Sequence, residues 1–219
     1  MADILIVSGS GPYSDLWHRF PQTSGRLAEI LEDLGHATRV TEEVEAGLAE
    51  PGRCDVLVVN IGNPTEPRPP DRIAAASRGL IEHLEAGRGL LGIHVSATSL
   101  TEMPEWPALL GGHWVHGRSM HPPQGVATVQ VRRDEHPIVE HLDDFEVFDE
   151  RYSYLETGSD ISVLCEHDFE GRRHPLAWAR RSGPGRVVYD GLGHDVRSYE
   201  SRPHVELIQR SVRWLLGAL

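Results

Sequence analysis

The stretch Gly87-Arg88-Gly89-Leu90-Leu91-Gly92-Ile93-His94-Val95-Ser96-Ala97-Thr98 decides how this chain is to be read. A glycine turn closes a helical pattern, and Leu90 to Ile93 then runs without polar alternation. Such a run suits a strand buried on both faces of a parallel sheet. It ends on a histidine among small residues, with Thr98 and Ser99 as helix-entry hydroxyls. A strand that turns sharply into a helix lifts one side chain above the carboxyl edge of its sheet. Here that side chain is His94. Open α/β sheets bind ligands beyond that edge, which makes His94 the first candidate functional residue. Its structural alternative is a buried histidine tied to a backbone carbonyl.

The same pattern repeats upstream. Asp3 to Ser8 reads as a buried strand, followed by a glycine-containing turn and a loop carrying Tyr13, Asp15, Trp17 and His18. Aromatic and polar residues together on such a loop suit a binding pocket. The glycines lack the third member and the immediate helix of a dinucleotide fingerprint. Thr23 or Ser24 is expected to cap a helix with Leu27, Ile30, Leu31 and Leu34 inward. His36–Thr41 and Cys54–Asn60 read as the next strands, and Ile61-Gly62-Asn63-Pro64-Thr65 turns at the same edge. Pro70 to Ala86 reads as a helix. This alternation predicts an α/β fold with a doubly wound, mostly parallel, flavodoxin-like sheet.

Beyond His94 the texture changes. Met103 to Leu110 is a short helix or loop closed by Gly111-Gly112, and residues 113–123 carry His113, Trp114, His116, Arg118 and His121 without a period. Gly125 to Arg132 alternates as a half-buried strand through Val126, Thr128, Val129 and Val131. Phe145 to Tyr154 combines charge and aromatic residues. Ile161–Cys165 and Pro175–Ala179, joined at Gly171, predict an antiparallel extension with Trp178 inside. Arg186 to Asp190 is the last strand and delivers Gly193-His194-Asp195, a second histidine on a glycine turn; a helix over 203–216 closes the chain. No linker or repeat appears, so residues 1–219 read as one domain.

Composition narrows the chemistry. The chain has 219 residues, of which 39% are hydrophobic and 25% charged, as in a globular protein. A formal net charge of -12 argues against nucleic acid and anionic membranes as partners. All 21 basic residues are arginine, which excludes lysine Schiff bases, pyridoxal-phosphate anchors and P-loop lysines. Cys54 and Cys165 read as small buried hydrophobes. No leader or membrane-spanning run is visible, so the expected location is cytoplasmic. Of the 13 histidines, His36, His83 and His167 read as solvated surface, and His136-Pro137 as a turn.

Taken in order, Gly-Leu-Leu-Gly-Ile-His at 89–94, Gly111-Gly112 before His121-Pro122, His136-Pro137-Ile138, Asp149-Glu150-x-Tyr152, Arg186-Val187-Val188-Tyr189 before Gly193-His194-Asp195, and Arg213-Trp214 form a recognisable series. Over nearly its whole length the chain resembles the trehalose-utilisation (ThuA-like) family. That resemblance implies the fold of class I glutamine amidotransferases and a link to disaccharide or glycoside breakdown. Those amidotransferases place a cysteine at the elbow and a histidine after a late strand. Here His94 stands at the elbow and His194 matches the later histidine. With neither cysteine at an elbow, thioester chemistry on glutamine is excluded.

The expected site therefore gathers Tyr13, Asp15, His18, His94, Trp114, His121, Glu150, Tyr152, His194 and Asp195 at the carboxyl edge. In one reading His94, His121 and His194 hold a divalent metal such as zinc, which polarises a sugar carbonyl or activates water. In another, no metal is used: His94 or His194 is a general base and Glu150 orients an imidazole or acts as acid. Either would serve hydrolysis, elimination or isomerisation of a small carbohydrate, with Tyr13, Asp15, His18, Trp114, Tyr152 and Asp195 binding it. A third reading is a non-catalytic sugar-binding or regulatory module. Trp17 and Trp114 are candidates to stack on a sugar face, with core packing as their alternative, and the bland alternative for Asp149-Glu150 is a surface pair with Arg118 or Arg151. The apolar side of the middle segment fits either a lid or a homo-oligomer interface.

Overall fold

Alternate residues of the early strands sort onto two faces of one sheet. Ile4, Ile6, Val56, Val58 and Leu91 pack into one apolar cluster, while Leu5, Val7, Leu57, Val59 and Leu90 pack into another. Strands apolar at every position can be buried only where helices cover both faces. That is the arrangement in the computed structural model, which describes residues 1–133 and 136–219.

The first half runs β1 (Asp3–Ser8), α1 (Phe20–Glu32), β2 (Ala37–Thr41), α2 (Val44–Ala49), β3 (Val56–Asn60), α3 (Pro70–Glu85) and β4 (Gly89–Ile93). The second half runs α4 (Trp106–Leu110), β5 (Gly112–His113), β6 (Gly125–Val131), β7 (Phe145–Asp149), β8 (Glu156–Thr157), β9 (Ser162–Phe169), β10 (Arg172–Ser182), β11 (Gly185–Asp190) and α5 (Arg202–Leu215). The large sheet has nine strands in the order β2-β1-β3-β4-β11-β10-β9-β6-β7. β2, β1, β3, β4 and β11 are parallel, and β10, β9, β6 and β7 extend the sheet antiparallel. The expected doubly wound sheet with an antiparallel extension is therefore present. The chain leaves β1 towards β2 on one side and returns through β3 on the other, so a crevice opens beyond their carboxyl ends.

Several local expectations are corrected. Thr23 and Ser24 do not cap α1, which begins at Phe20 with Pro21 in its first turn. Both lie inside the helix, where the Asn60 amide donates to each hydroxyl at 2.9 Å. Ser24 also reaches Ser8 at 2.8 Å, so the helix is tied to the ends of β1 and β3. Thr98 and Ser99 do not open a long helix: they follow a single 3-10 turn, His94–Ala97, and bond back to the Val95 carbonyl. The short α2 was not anticipated, and Val126 faces solvent while Ala127, Val129 and Val131 form the buried face of β6. His83 and His167 are buried rather than solvated, at 2% and 0% exposure. A carbonyl engages one nitrogen of each ring, His83 Nε2 meeting Gly89 O at 2.8 Å and His167 Nε2 meeting Tyr152 O at 3.1 Å, while Nδ1 of both has no hydrogen-bond partner. Cys54 and Cys165 are free and buried, as expected. Among the described residues, no helix is long and apolar enough to cross a membrane.

Candidate functional site

The β4 elbow is strained. His94 has φ 41°, a left-handed conformation that costs a non-glycine residue about 1 kcal/mol or more. Two contacts hold it there. Its Nδ1 lies 2.7 Å from the Gly191 carbonyl, and Tyr189 Oη donates to the His94 carbonyl at 2.9 Å. A carbonyl only accepts, so Nδ1 carries a proton, and the lone pair of the neutral ring is the one on Nε2. The ring packs against Tyr152 with centroids 4.4 Å apart.

His18 is set in the same way from the loop after β1. Asp15 Oδ1 accepts the backbone N–H groups of Trp17 and His18 at 2.8 and 2.7 Å. Asp15 Oδ2 meets His18 Nδ1 at 2.7 Å and leaves Nε2 free. A carboxylate or carbonyl behind each imidazole is the usual outer support of a metal-binding histidine.

His194 is placed by Asp149. This buried carboxylate accepts from Gly193 N at 2.7 Å, His194 N at 3.1 Å and Glu150 N at 2.8 Å. Gly193 has φ 109°, and a Cβ there would meet the Tyr199 hydroxyl at 2.7 Å, so only glycine fits this turn. One carboxylate thus orients both His194 and its neighbour Glu150.

The groups converge. His194 Nδ1 is 3.2 Å and His94 Nε2 3.6 Å from Glu150 Oε2. One ligand atom from each of His18, His94, Glu150 and His194 lies within 4.8 Å of the others. His18 Nε2, His94 Nε2 and His194 Nδ1 are all buried without a hydrogen-bond partner. Burial pushes the Glu150 carboxyl up, but His194 and His94 outweigh it and hold it well below the usual carboxylate range. Burial pushes His194 down, and the Glu150 carboxylate overrides it to leave a net rise. His18 stays lowered by burial despite Asp15. Buried ring nitrogens that lack a hydrogen bond and face a carboxylate have the donor set to hold a divalent cation.

Beside this cluster is a cleft of about 560 Å³, lined by Asp15, His18, Trp114, His121, Glu150, Tyr152 and His194 together with Trp17. Two expected binding residues lie elsewhere. Tyr13 is buried, donates to Glu45 Oε1 at 3.3 Å and sits under the Arg68 guanidinium. Asp195 is engaged by Gln124 and Arg197, and Arg197 holds its carboxyl down at about 2. His121 lies on the other oxygen of Glu150, 3.5 Å from Oε1, with its Nδ1 also 3.0 Å from Pro122 O. His18 rather than His121 completes the set of four potential ligands. Asp149 and Glu150 are not a surface pair, and Arg118 pairs with Glu156. The sequence reading missed the Asp149 clamp and the cleft positions Asn63, Thr65, Val95 and Thr98. The turn after β3 was a usable signal for Asn63 and Thr65. Neither cysteine lines the cleft.

The fold has known counterparts. A ThuA-like protein from Bacteroides uniformis superposes with TM-score 0.77 at 18% identity, covering 98% of this chain and 91% of that one. A glutamine amidotransferase from Thermotoga maritima gives TM-score 0.56 at 10% identity, covering 98% of each chain. A β-galactosidase from Bacillus circulans sp. alkalophilus gives TM-score 0.65 at 11% identity, covering 99% of this chain but 30% of the enzyme. No curated protein sequence matches the chain. At sequence level, residues 4–215 match the family ThuA, described as trehalose utilisation. The chain belongs to the ThuA, or trehalose-utilisation, family.

Proposed function

We propose that this protein is a metal-dependent enzyme acting on a small carbohydrate, with His18, His94, Glu150 and His194 holding a divalent cation. The observation that carries the reading is the convergence of three buried, unpartnered imidazole nitrogens on one carboxylate. An unmade hydrogen bond at a buried polar atom costs about 1–3 kcal/mol, and a cation at their centre would satisfy all three at once. Three imidazoles with a carboxylate fit zinc, and also manganese or iron in the divalent state. Such a cation would polarise a sugar carbonyl or activate water, in hydrolysis, elimination or isomerisation. The family description supports carbohydrate as the substrate class. Tyr152, Trp114 and His121 would then form the wall against which the ring is oriented.

A metal-free reading has one observation of its own. His194 Nδ1 and Glu150 Oε2, 3.2 Å apart, would form an acid–base pair. Elemental analysis of the purified protein, before and after loading with zinc, manganese or cobalt, separates the two. About one metal per chain, absent from His94→Ala, is expected. No metal under any loading condition would overturn the metal reading and leave the acid–base pair.

A further inference from the structure

Trp17 is 72% exposed, whereas Trp106 and Trp178 are fully buried. It lines the cleft mouth beside the proposed metal ligands. It is not on a slack loop. The Asp15 carboxylate that orients the His18 ring also accepts the Trp17 backbone N–H at 2.8 Å. The backbone that carries Trp17 and the His18 ring are therefore held by one group. Trp114, also lining the cleft, makes an edge contact with Tyr152 at 4.9 Å, and Tyr152 packs on His94. A continuous run of rings leads from this wall to the elbow.

The charge of the cleft is equally informative. Its lining contains Asp15, Glu150 and histidines but no arginine. Arg19, the arginine nearest in sequence to Trp17, lines an adjoining hollow that shares Asp15 and His18 with the cleft but is not itself part of the cleft lining. With a divalent cation bound, its two positive charges are balanced by Asp15 and Glu150. Nothing in the lining offers the forked cation that phosphate or carboxylate recognition uses. The volume of about 560 Å³ falls within the roughly 300–1,000 Å³ of small-molecule sites.

We infer that Trp17 forms a second-ring subsite, and that the ligand is an uncharged glycoside whose outer ring stacks on Trp17 while the reacting sugar sits at the metal centre. This rests on the metal-dependent carbohydrate reading above. The shared chemistry is an uncharged ring with a flat C–H or aromatic face, and either a second sugar or an aryl group supplies it.

The test uses the full-length, metal-loaded protein, with metal content measured first on the same sample. Binding of glucose, trehalose, trehalose 6-phosphate and p-nitrophenyl glucoside is measured by calorimetry for the parent, Trp17→Ala and Trp17→Phe. A two-ring uncharged ligand is expected to bind about tenfold tighter than glucose and than the 6-phosphate. Trp17→Ala should remove that advantage, leave glucose binding and metal content unchanged, and be largely rescued by Trp17→Phe. Preference for trehalose or for the aryl glycoside then identifies the outer ring, and either result supports the subsite. Equal binding of one-ring and two-ring ligands, equal binding of the 6-phosphate, indifference to Trp17→Ala, or no binding to metal-loaded protein would each overturn it. A Trp17→Ala variant that changes only oligomeric state would overturn it in favour of an interface. Absence of metal from the sample would instead overturn the parent reading.

Discussion

Two clusters of histidine and carboxylate flank the same turn, and they look alike on paper. Asp190 opens the turn and belongs to one; His194 closes it and belongs to the other. In the first, His204 Nε2 meets Asp190 Oδ2 at 3.0 Å and His204 Nδ1 meets Ser198 Oγ at 2.9 Å. That is the Ser–His–Asp order of a serine-hydrolase triad with the two ring nitrogens exchanged. Yet Ser198 and His204 are 0% exposed, and no hydrogen bond is left open on either. Asp190 spends its other oxygen on Leu192 N at 3.0 Å. This cluster braces the turn. The second cluster has the same residue types but leaves its ring nitrogens unmade beside a cleft. Function is signalled by unsatisfied atoms that a ligand can reach, not by residue identity. His167 sharpens the point: its Nδ1 is also without a hydrogen-bond partner, but the residue is 0% exposed and packs inside the fold.

The largest expected effect breaks the brace. His204→Ala leaves the Asp190 carboxylate buried and unpaired, which should cost about 3–5 kcal/mol in urea unfolding. Metal content per folded molecule should survive; lost metal with unchanged stability would reverse the roles of the two clusters. His94→Ala attacks the other cluster. One ligand of four is worth about 3–4 kcal/mol of metal binding, so affinity should fall roughly 150- to 900-fold. Competition with a chelator measures this, and an unchanged affinity would remove His94 from the ligand set.

Asp149→Asn is a smaller, indirect change. It keeps the shape but cannot accept all three N–H bonds, so metal affinity should weaken about 10- to 100-fold. A cobalt-loaded sample should show an altered visible spectrum, which a purely structural role would not produce. The smallest effect is on the pH profile of stability. Burial, with Arg151 and His174 nearby, pushes the His167 imidazole down to about 4. Unfolded histidine titrates near about 6.5, so between these values the unfolded chain binds more protons. The His167 contribution is complete above the unfolded value and is lost as pH falls towards 4. About 2 kcal/mol should disappear by about pH 5, and His167→Gln should flatten that limb of the curve. His204 has the opposite sign. Burial lowers it, but the Asp190 carboxylate prevails and raises it. Its contribution is complete below the unfolded value and is lost as pH rises through the folded one. Thermal melts on both sides of neutrality separate the two histidines.

Much of this was legible beforehand. Apolar runs ending in glycine turns placed β1, β3, β4 and β11 and pointed His94 and His194 at one edge. The Asp149-Glu150-x-Tyr152 motif marked the acidic contribution. Partner choice was not legible. The sequence reading took His121 as the third ligand and His18 as a binding residue, and only the Asp15 turn brings His18 Nε2 against His94 and His194. Tyr13 and Asp195 sit beside site residues in sequence, yet Glu45 and Gln124, 32 and 71 positions away, draw their polar ends aside.

The sequence by itself determined the strand–turn–helix alternation, the sheet edge and the absence of a nucleophilic cysteine at the elbow. Each is a local property: periodicity records which face is buried, and a turn residue records where the chain reverses. Only the tertiary structure decided which histidines meet, which are sealed, and which ring nitrogens stay unpaired. Those outcomes depend on hydrogen bonds between residues far apart in the chain, and a buried polar atom finds its partner, or lacks one, only after the sheet is assembled.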